Sequence, residues 1–328
     1  MKFSSIFLIL LTTFLLFGCT GNNFIPTQTP NTSDAVNSIP HQEAWGIYEL
    51  DLNTEEVKLL YNSPNPLSSL QIDASGTKFA FSQKFGGDNN ENEEICTINI
   101  NGSNFKRLTN NSILDTYPSW SSDGSKLIFL SWRNETLDIY LIDADGTNTV
   151  LLYDSGFHDA DIHWQNNKIA FTRNSQIWIM DFDGTNVHQI TNTSNAGEWG
   201  NANLPFGDYD PRLSPDGSKI LFERLIADDS PHGNYDLYVI NIDGSDEIRL
   251  TNTGYSQGLA SWSNSGDRIV YVVAAINKQG EYKLYLMDAD GSNNHKITPD
   301  YFPSDFLCHS GVFSKDDSKI YFIGQWWN

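Results

Sequence analysis

Two hairpin phrases, each present six times, predict an all-β chain folded as a six-bladed β-propeller of four-stranded blades. The order of the copies adds the closure: the chain starts on a second-type hairpin with no first-type hairpin before it and ends on a first-type hairpin with no second-type one after it. If these two orphans pair, the N-terminal hairpin completes the last blade. The ring then has no row of open sheet edges to template aggregation.

The clearest unit runs over residues 210–251. Pro211-Arg212-Leu213-Ser214 leads into the turn Pro215-Asp216-Gly217-Ser218 and the apolar strand 219–223. A polar loop follows, then a strand at 236–240, the turn Asn241-Ile242-Asp243-Gly244-Ser245, and a closing strand ending on Leu250-Thr251. Asp-Gly between alternating apolar residues reads as a hairpin, with the positive φ angles that a tight two-residue turn requires.

The first hairpin recurs at residues 72–81, 120–129, 163–171, 262–271 and 313–322. Two copies lack the turn glycine, and Asn166 and Asp317 stand in its place. Both residue types tolerate the left-handed conformation. The second hairpin begins at Ile47, Ile95, Ile139, Ile177, Leu237 and Leu284, and most copies close on Leu-Thr or Ile-Thr, as at Thr109, Thr191, Thr251 and Thr298.

Ahead of the repeats, Lys2 is followed by an apolar run from Ile6 to Phe17, too short to span a bilayer and typical of an export signal. Leu16-Phe17-Gly18-Cys19 resembles the bacterial lipobox, although Phe17 is bulkier than that pattern usually has. The resemblance implies a diacylated Cys19 that becomes the mature N-terminus. Residues 1–18 are therefore expected to be a lipoprotein signal, 19–44 a disordered tether rich in Asn, Thr, Ser and Pro, and 45–328 the propeller. Multiple acyl chains make such anchoring stable, so the expected location is the cell envelope, on a periplasmic or cell-surface membrane face.

Composition narrows the partners. With 20 basic against 41 acidic residues and a formal net charge of −21, the chain lacks the basic footprint that nucleic acid requires. Cys96 and Cys308 lie far apart in the repeat pattern, so burial rather than a disulfide is expected to hold the fold.

The phrases Ser-Pro-Asp-Gly-Ser-Lys-Ile-x-Phe and Ile-Asp-x-Asp-Gly-Ser-Asn-x-x-x-Leu-Thr resemble the WD40-like PD40 repeats of TolB-type propellers, over Trp45 to Asn328. No Trp-Asp dipeptide of true WD40 repeats follows the third strand. TolB family members carry an α/β domain before the propeller, whereas only signal and tether are read here, so the family's role does not transfer whole. The resemblance implies a protein partner at the channel mouth, as TolB receives the lipoprotein Pal there. It names no residue for that specificity.

In a propeller the segment entering each innermost strand lies at one mouth of the channel. These stretches, 115–118, 157–163, 208–212, 257–259 and 307–310, bring candidate ligand-binding residues together: Asp115, Tyr117, His158, Asp161, His163, Asp208, Asp210, Arg212, Gln257 and His309. Arg and Tyr dominate the energetics of recognition surfaces, so a protein or small ligand is expected at this mouth, bound by a monomer without catalytic residues or cofactor. The competing expectation is a divalent metal on His158, His163, Gln257 and His309, since imidazoles and an amide oxygen suit a transition metal. Oligogalacturonate lyases with a similar propeller use a His-and-Gln manganese site, which would make this chain a polysaccharide lyase.

Other chemistries read weakly. The Asp-x-Asp-Gly turns lack the third acidic ligand and distant glutamate of a calcium loop. No Gly-x-Ser-x-Gly elbow is present for a serine hydrolase. Trp120, Trp164 and Trp262 recur at one repeat position and read as packing between blades, while Trp199, Trp326 and Trp327 lie outside the repeat and could offer a carbohydrate platform.

Overall fold

The structure is a computed structural model that describes residues 39, 43–86, 92–227, 233–274 and 282–326; the signal, Cys19 and Trp327 lie outside them. All of its elements are strands. The N-terminal hairpin is β1 (Trp45–Asp51) and β2 (Val57–Ser63). The next two blades are β3–β6 (Leu67–Ile72, Lys78–Lys84, Glu93–Asn99, Lys106–Arg107) and β7–β10 (Asp115–Trp120, Lys126–Asn134, Thr136–Asp143, Val150–Tyr153). Then come β11–β14 (Asp159–Gln165, Lys168–Arg173, Gln176–Asp181, His188–Gln189) and β15–β18 (Gly207–Leu213, Lys219–Ala227, Asn234–Asn241, Ile248–Arg249). The chain continues through β19–β22 (Ser256–Trp262, Arg268–Ala274, Tyr282–Asp288, His295–Lys296) and ends on β23 (Phe306–Phe313) and β24 (Lys319–Trp326).

Six antiparallel four-stranded sheets result, and the last has the order β2-β1-β24-β23. β1 runs antiparallel to β24 from Trp45 opposite Gln325 to Asp51 opposite Lys319, so the expected closure by the N-terminal hairpin is present. The first strands β3, β7, β11, β15, β19 and β23 touch one another in cyclic order. They form the wall of the channel.

Because blades stack face to face, their second strands are buried on both sides, which is why they read as continuous apolar runs rather than alternating ones. Leu127, Ile128, Phe129 and Leu130 of β8 are all fully buried. The core is correspondingly divided into layers between neighbouring blades: Ala80 and Ile95 pack with Trp120, Leu127 and Phe129, for example. Trp164 and Trp262 sit in two further layers of this kind, as their repeat position implied. Cys96 and Cys308 are free thiols buried in separate layers.

The turns differ from the two-residue form expected. Of each Asp-Gly pair only the glycine takes a positive φ, +68° at Gly124 and +73° at Gly217, and its N–H donates to the carbonyl three residues back. The loop is thus a longer one, a right-handed turn followed by one left-handed residue. The aspartate stabilises it instead of sharing the unusual φ: Asp123 Oδ1 accepts from Ser125 N at 3.0 Å and from Ser121 Oγ at 2.7 Å. The same device closes the second hairpins, where Asp145 and Asp290 accept from Thr147 N and Ser292 N at 2.9 Å.

Asn166 and Asp317 do adopt the left-handed conformation, with φ of +52° and +56°. Their side chains also bind neighbouring blades, which glycine could not do. Asn166 Nδ2 donates to Pro215 O at 3.0 Å, and Asp317 Oδ1 accepts from Asn264 N at 2.8 Å. The recurrent Leu-Thr or Ile-Thr ending has a similar cause. Thr109, Thr191, Thr251 and Thr298 are buried, and each Oγ1 accepts the N–H of Ile95, Ile177, Leu237 or Leu284 on its own blade's third strand.

Candidate functional site

Every innermost strand has a register shift in which two consecutive residues are left out of the ladder, as between Thr116 and Ser119 or between Tyr209 and Arg212. Such a bulge re-aims side chains at a sheet rim. In all six strands it contains one left-handed residue: Ser69, Tyr117, Asp161, Asp210, Leu259 and Ser310, with φ between +48° and +55°. All six border a single cavity of about 560 Å³ at the channel mouth. For Tyr117 and Leu259 that conformation is costly, and strain of this kind persists only where the surroundings hold it.

The turned N–H groups show what holds it. Tyr117 N donates to Ser82 Oγ at 3.1 Å, Asp210 N donates to Asp161 Oδ2 at 3.3 Å, and Leu259 N donates to Glu223 Oε1. Each acceptor belongs to the preceding blade. Glycine is required beside this contact, because a Cβ on Gly258 would lie 2.7 Å from the Glu223 carboxyl.

Of the ten residues expected at the mouth, Tyr117, His158, Asp161, Asp210, Arg212 and His309 line the cavity, and Asp115, His163, Asp208 and Gln257 do not. Asp115 and Asp208 are fully buried struts that tie the start of the inner strand to the end of the next, pairing with Arg133 at 2.7 Å and Arg224 at 2.6 Å. Asp159 does the same with Arg173 at 2.7 Å. These three occupy one repeat position, two before the bulge residue, and that equivalence is the signal for a structural role. His163 Nδ1 accepts Leu213 N at 3.1 Å, and Gln257 Nε2 donates to Tyr255 O at 2.6 Å.

The proposed metal quartet is therefore dispersed. His158 Nδ1 accepts Leu137 N at 3.1 Å, and His309 lies 5.9 Å from the Trp45 ring and 5.3 Å from the Tyr282 ring while its Nε2 contacts Gln325. No group of three or more His, Cys, Asp or Glu suited to a metal occurs among the described residues. Burial holds His163 down at about 3 and His309 at about 4, so both rings are neutral.

The floor of the cavity is acidic. Arg212 Nη2 approaches Asp210 Oδ1 to 2.8 Å, and Asp161 and Glu223 complete the group. Burial raises all three carboxyls; Asp210 is pushed up to about 6, with Arg212 opposing and Asp161 reinforcing the shift, and Glu223 is raised well above the usual range by burial and then by Asp210. Glu223 comes from the second strand of its blade. Reasoning from channel-entry segments missed it, although its position within the apolar run 220–225 marked it as a buried carboxylate. The rim carries Phe157 and Trp199, each 55% exposed.

Residues 41–200 match the family model described as the TolB beta propeller domain. The uncharacterized protein Atu1656 of Agrobacterium fabrum is 29% identical over 178 residues, 51% of this chain and 57% of that protein. The Tol-Pal system protein TolB of Desulfosudis oleivorans is 27% identical over 105 residues, 30% of this chain and 24% of its own length. The matched stretches thus span little more than half of the first relative and a quarter of the second. A solved structure assigned as TolB from Agrobacterium tumefaciens superposes with a TM-score of 0.66 at 16% identity, over 87% of this chain and 99% of that one. Repeats, closure and these likenesses agree on the fold: the chain is a six-bladed β-propeller, similar over residues 41–200 to the TolB beta propeller domain.

Proposed function

We propose that this propeller is a non-enzymatic binding scaffold that receives a segment of a partner protein at the channel mouth. The observation that carries the reading is the convergence of all six bulge residues on one cavity of about 560 Å³ beneath the exposed aromatic rim of Phe157 and Trp199. Exposed aromatic side chains around a concave, partly polar pocket are the usual anchors of recognition. Likeness to TolB supports a protein partner, and dispersal of the His and Gln side chains removes the support for a metal-dependent lyase.

The scaffold acts at the cell envelope, held there by lipidated Cys19 through the tether of residues 19–44. Two experiments test these statements. Pull-down from an envelope fraction should recover a partner with the native protein and lose it with the Phe157→Asp, Trp199→Asp double variant; equal recovery overturns mouth binding. Cys19→Ser should abolish incorporation of labelled fatty acid and release the protein from membranes, and unchanged labelling overturns the anchor.

A further inference from the structure

We infer that the floor of the channel cavity, where Asp161, Asp210 and Glu223 gather around Arg212, binds the ammonium group of an organic cation. The inference rests on the cavity being the site where the chain receives its partner, and it specifies the chemistry recognised there.

The charge count is the first ground. Four of the charged side chains on the cavity wall are Asp161, Asp210, Glu223 and Arg212, three acids to one base. Arg173 also reaches the wall, but Asp159 at 2.7 Å neutralises it. The second ground is independent of the count. Asp210 is only 7% exposed, lines the cavity, and its carboxylate oxygens accept no hydrogen bond from an N–H or hydroxyl group, the neighbouring Glu223 carboxyl being their one hydrogen-bonding contact. Its contact with Arg212 is an ion pair lacking hydrogen-bond alignment. A buried carboxylate held only by a misaligned ion pair and a neighbouring carboxyl is under-satisfied, so a well-aligned donor supplied from the cavity has a large effect.

The walls select the kind of cation. The carboxylates do not form a cluster suited to a metal ion. Around them stand Tyr117, Tyr209, Tyr235, Leu67, Leu204 and Leu259, an aromatic and apolar sleeve. An ammonium carried on an alkyl stem satisfies both parts, with its N–H groups on Asp210 and Glu223 and its stem along the sleeve, where ring faces also attract cations. Such a group is found on a free alkylamine and on the lysine side chain of a protein segment.

Protons compete with the cation for this floor. The titratable groups on the cavity wall are Tyr117 on β7, Asp161 on β11, Tyr209, Asp210 and Arg212 on β15, Glu223 on β16 and Tyr235 on β17, together with His158, Arg173 and His309, and His163 of β11, off the wall, feels the charge of Arg212. The tyrosines are held neutral by burial, as is His163, so the raised carboxyls are the groups that exchange protons, Asp210 at about 6. Cation binding releases protons and strengthens as pH rises.

Titration calorimetry of the full-length protein with n-hexylamine, n-hexanol and Nα-acetyl-lysine methylamide provides the test. Hexylamine should bind at least about tenfold more tightly than hexanol at pH 7.5, the weight of one charge-assisted contact. It should weaken at pH 5 and release protons on binding. Tighter binding of the lysine amide than of hexylamine assigns the ammonium to a protein segment, and the reverse order assigns it to a free amine; either order supports the inference. Asp210→Asn and Glu223→Gln, each checked for native circular dichroism, should lose most of the preference for amine over alcohol. Equal affinity of hexylamine and hexanol for the native protein overturns the inference without needing any variant, as does an undiminished preference in folded Asp210→Asn. Partner recovery in the pull-down with no amine preference would leave mouth binding standing and remove only the ammonium.

Discussion

The largest fully buried side chain of β1, the strand that closes the ring, is Tyr48. Tyr48 is 1% exposed, lies opposite Phe322 in the β1–β24 ladder, stacks on that ring at 5.5 Å and meets Phe306 edge-on at 5.3 Å. Replacing it with alanine removes a fully buried aromatic from a layer that also contains Phe302 and Leu284. Buried aromatic-to-alanine changes cost about 3–5 kcal/mol. For a cooperative domain of this size this corresponds to about 1.7 °C per kcal/mol, so Tm should fall by about 5–8 °C. Scanning calorimetry of Tyr48→Ala beside Phe129→Ala and Val150→Ala is the assay. Phe129 is fully buried in a blade built from contiguous chain, and Val150 is 52% exposed. If β1 locks the ring, Tyr48→Ala falls with Phe129→Ala. A shift below about 2 °C, matching Val150→Ala, would refute closure by the N-terminal hairpin.

Three further outcomes follow from the geometry. Thr251→Val leaves the buried Leu237 N–H without its 2.9 Å acceptor, and urea denaturation should register a loss of about 1–3 kcal/mol; no loss would show that the Leu-Thr ending has another cause. Asp210 has its folded pKa raised from 3.8 to about 6, so its contribution to stability is present below about pH 4 and is lost as pH rises through 6. Asparagine does not titrate, and Asp210→Asn should therefore gain on the native protein across that window, by a shift of roughly two pKa units or about 3 kcal/mol in urea melts; a difference independent of pH contradicts this. Asn166→Gly eases a φ of +52° but removes the bond to Pro215 O, and a net loss of about 0.5–1.5 kcal/mol is expected, whereas a gain would show that the side chain does not brace the blades.

The repeat was legible because each hairpin is specified locally. Alternating or continuous apolar runs set the strands, and Asp-Gly with a following Ser or Thr sets the turn. Even there the exact turn was not legible: whether one or two residues take positive φ depends on how the aspartate side chain caps the loop, as Asp123 does with Ser125. Asn166 and Asp317 could be placed in the left-handed conformation from residue type. Their bonds to other blades could not, since Asn264 and Pro215 lie some fifty residues away in sequence.

The candidate site divides along the same line. Six of the ten residues named in the entry segments line the cavity at the channel mouth. Spacing alone did not separate Asp210, which faces the channel, from Asp208, which Arg224 binds within the blade. The bulge decides that, because one extra residue reverses which side chains face inward.

By itself, the sequence determined the number of blades, the strands in each, and the pairing of the two orphan hairpins, because these follow from local periodicity and from the order of repeats along one chain. Tertiary structure alone decided which carboxylates share the channel floor and which histidines stand apart. Glu223 meets Leu259 across neighbouring blades, and Asp161 meets Asp210 in the same way. Those meetings depend on the bulges and on the curvature of a closed ring, which no single repeat encodes.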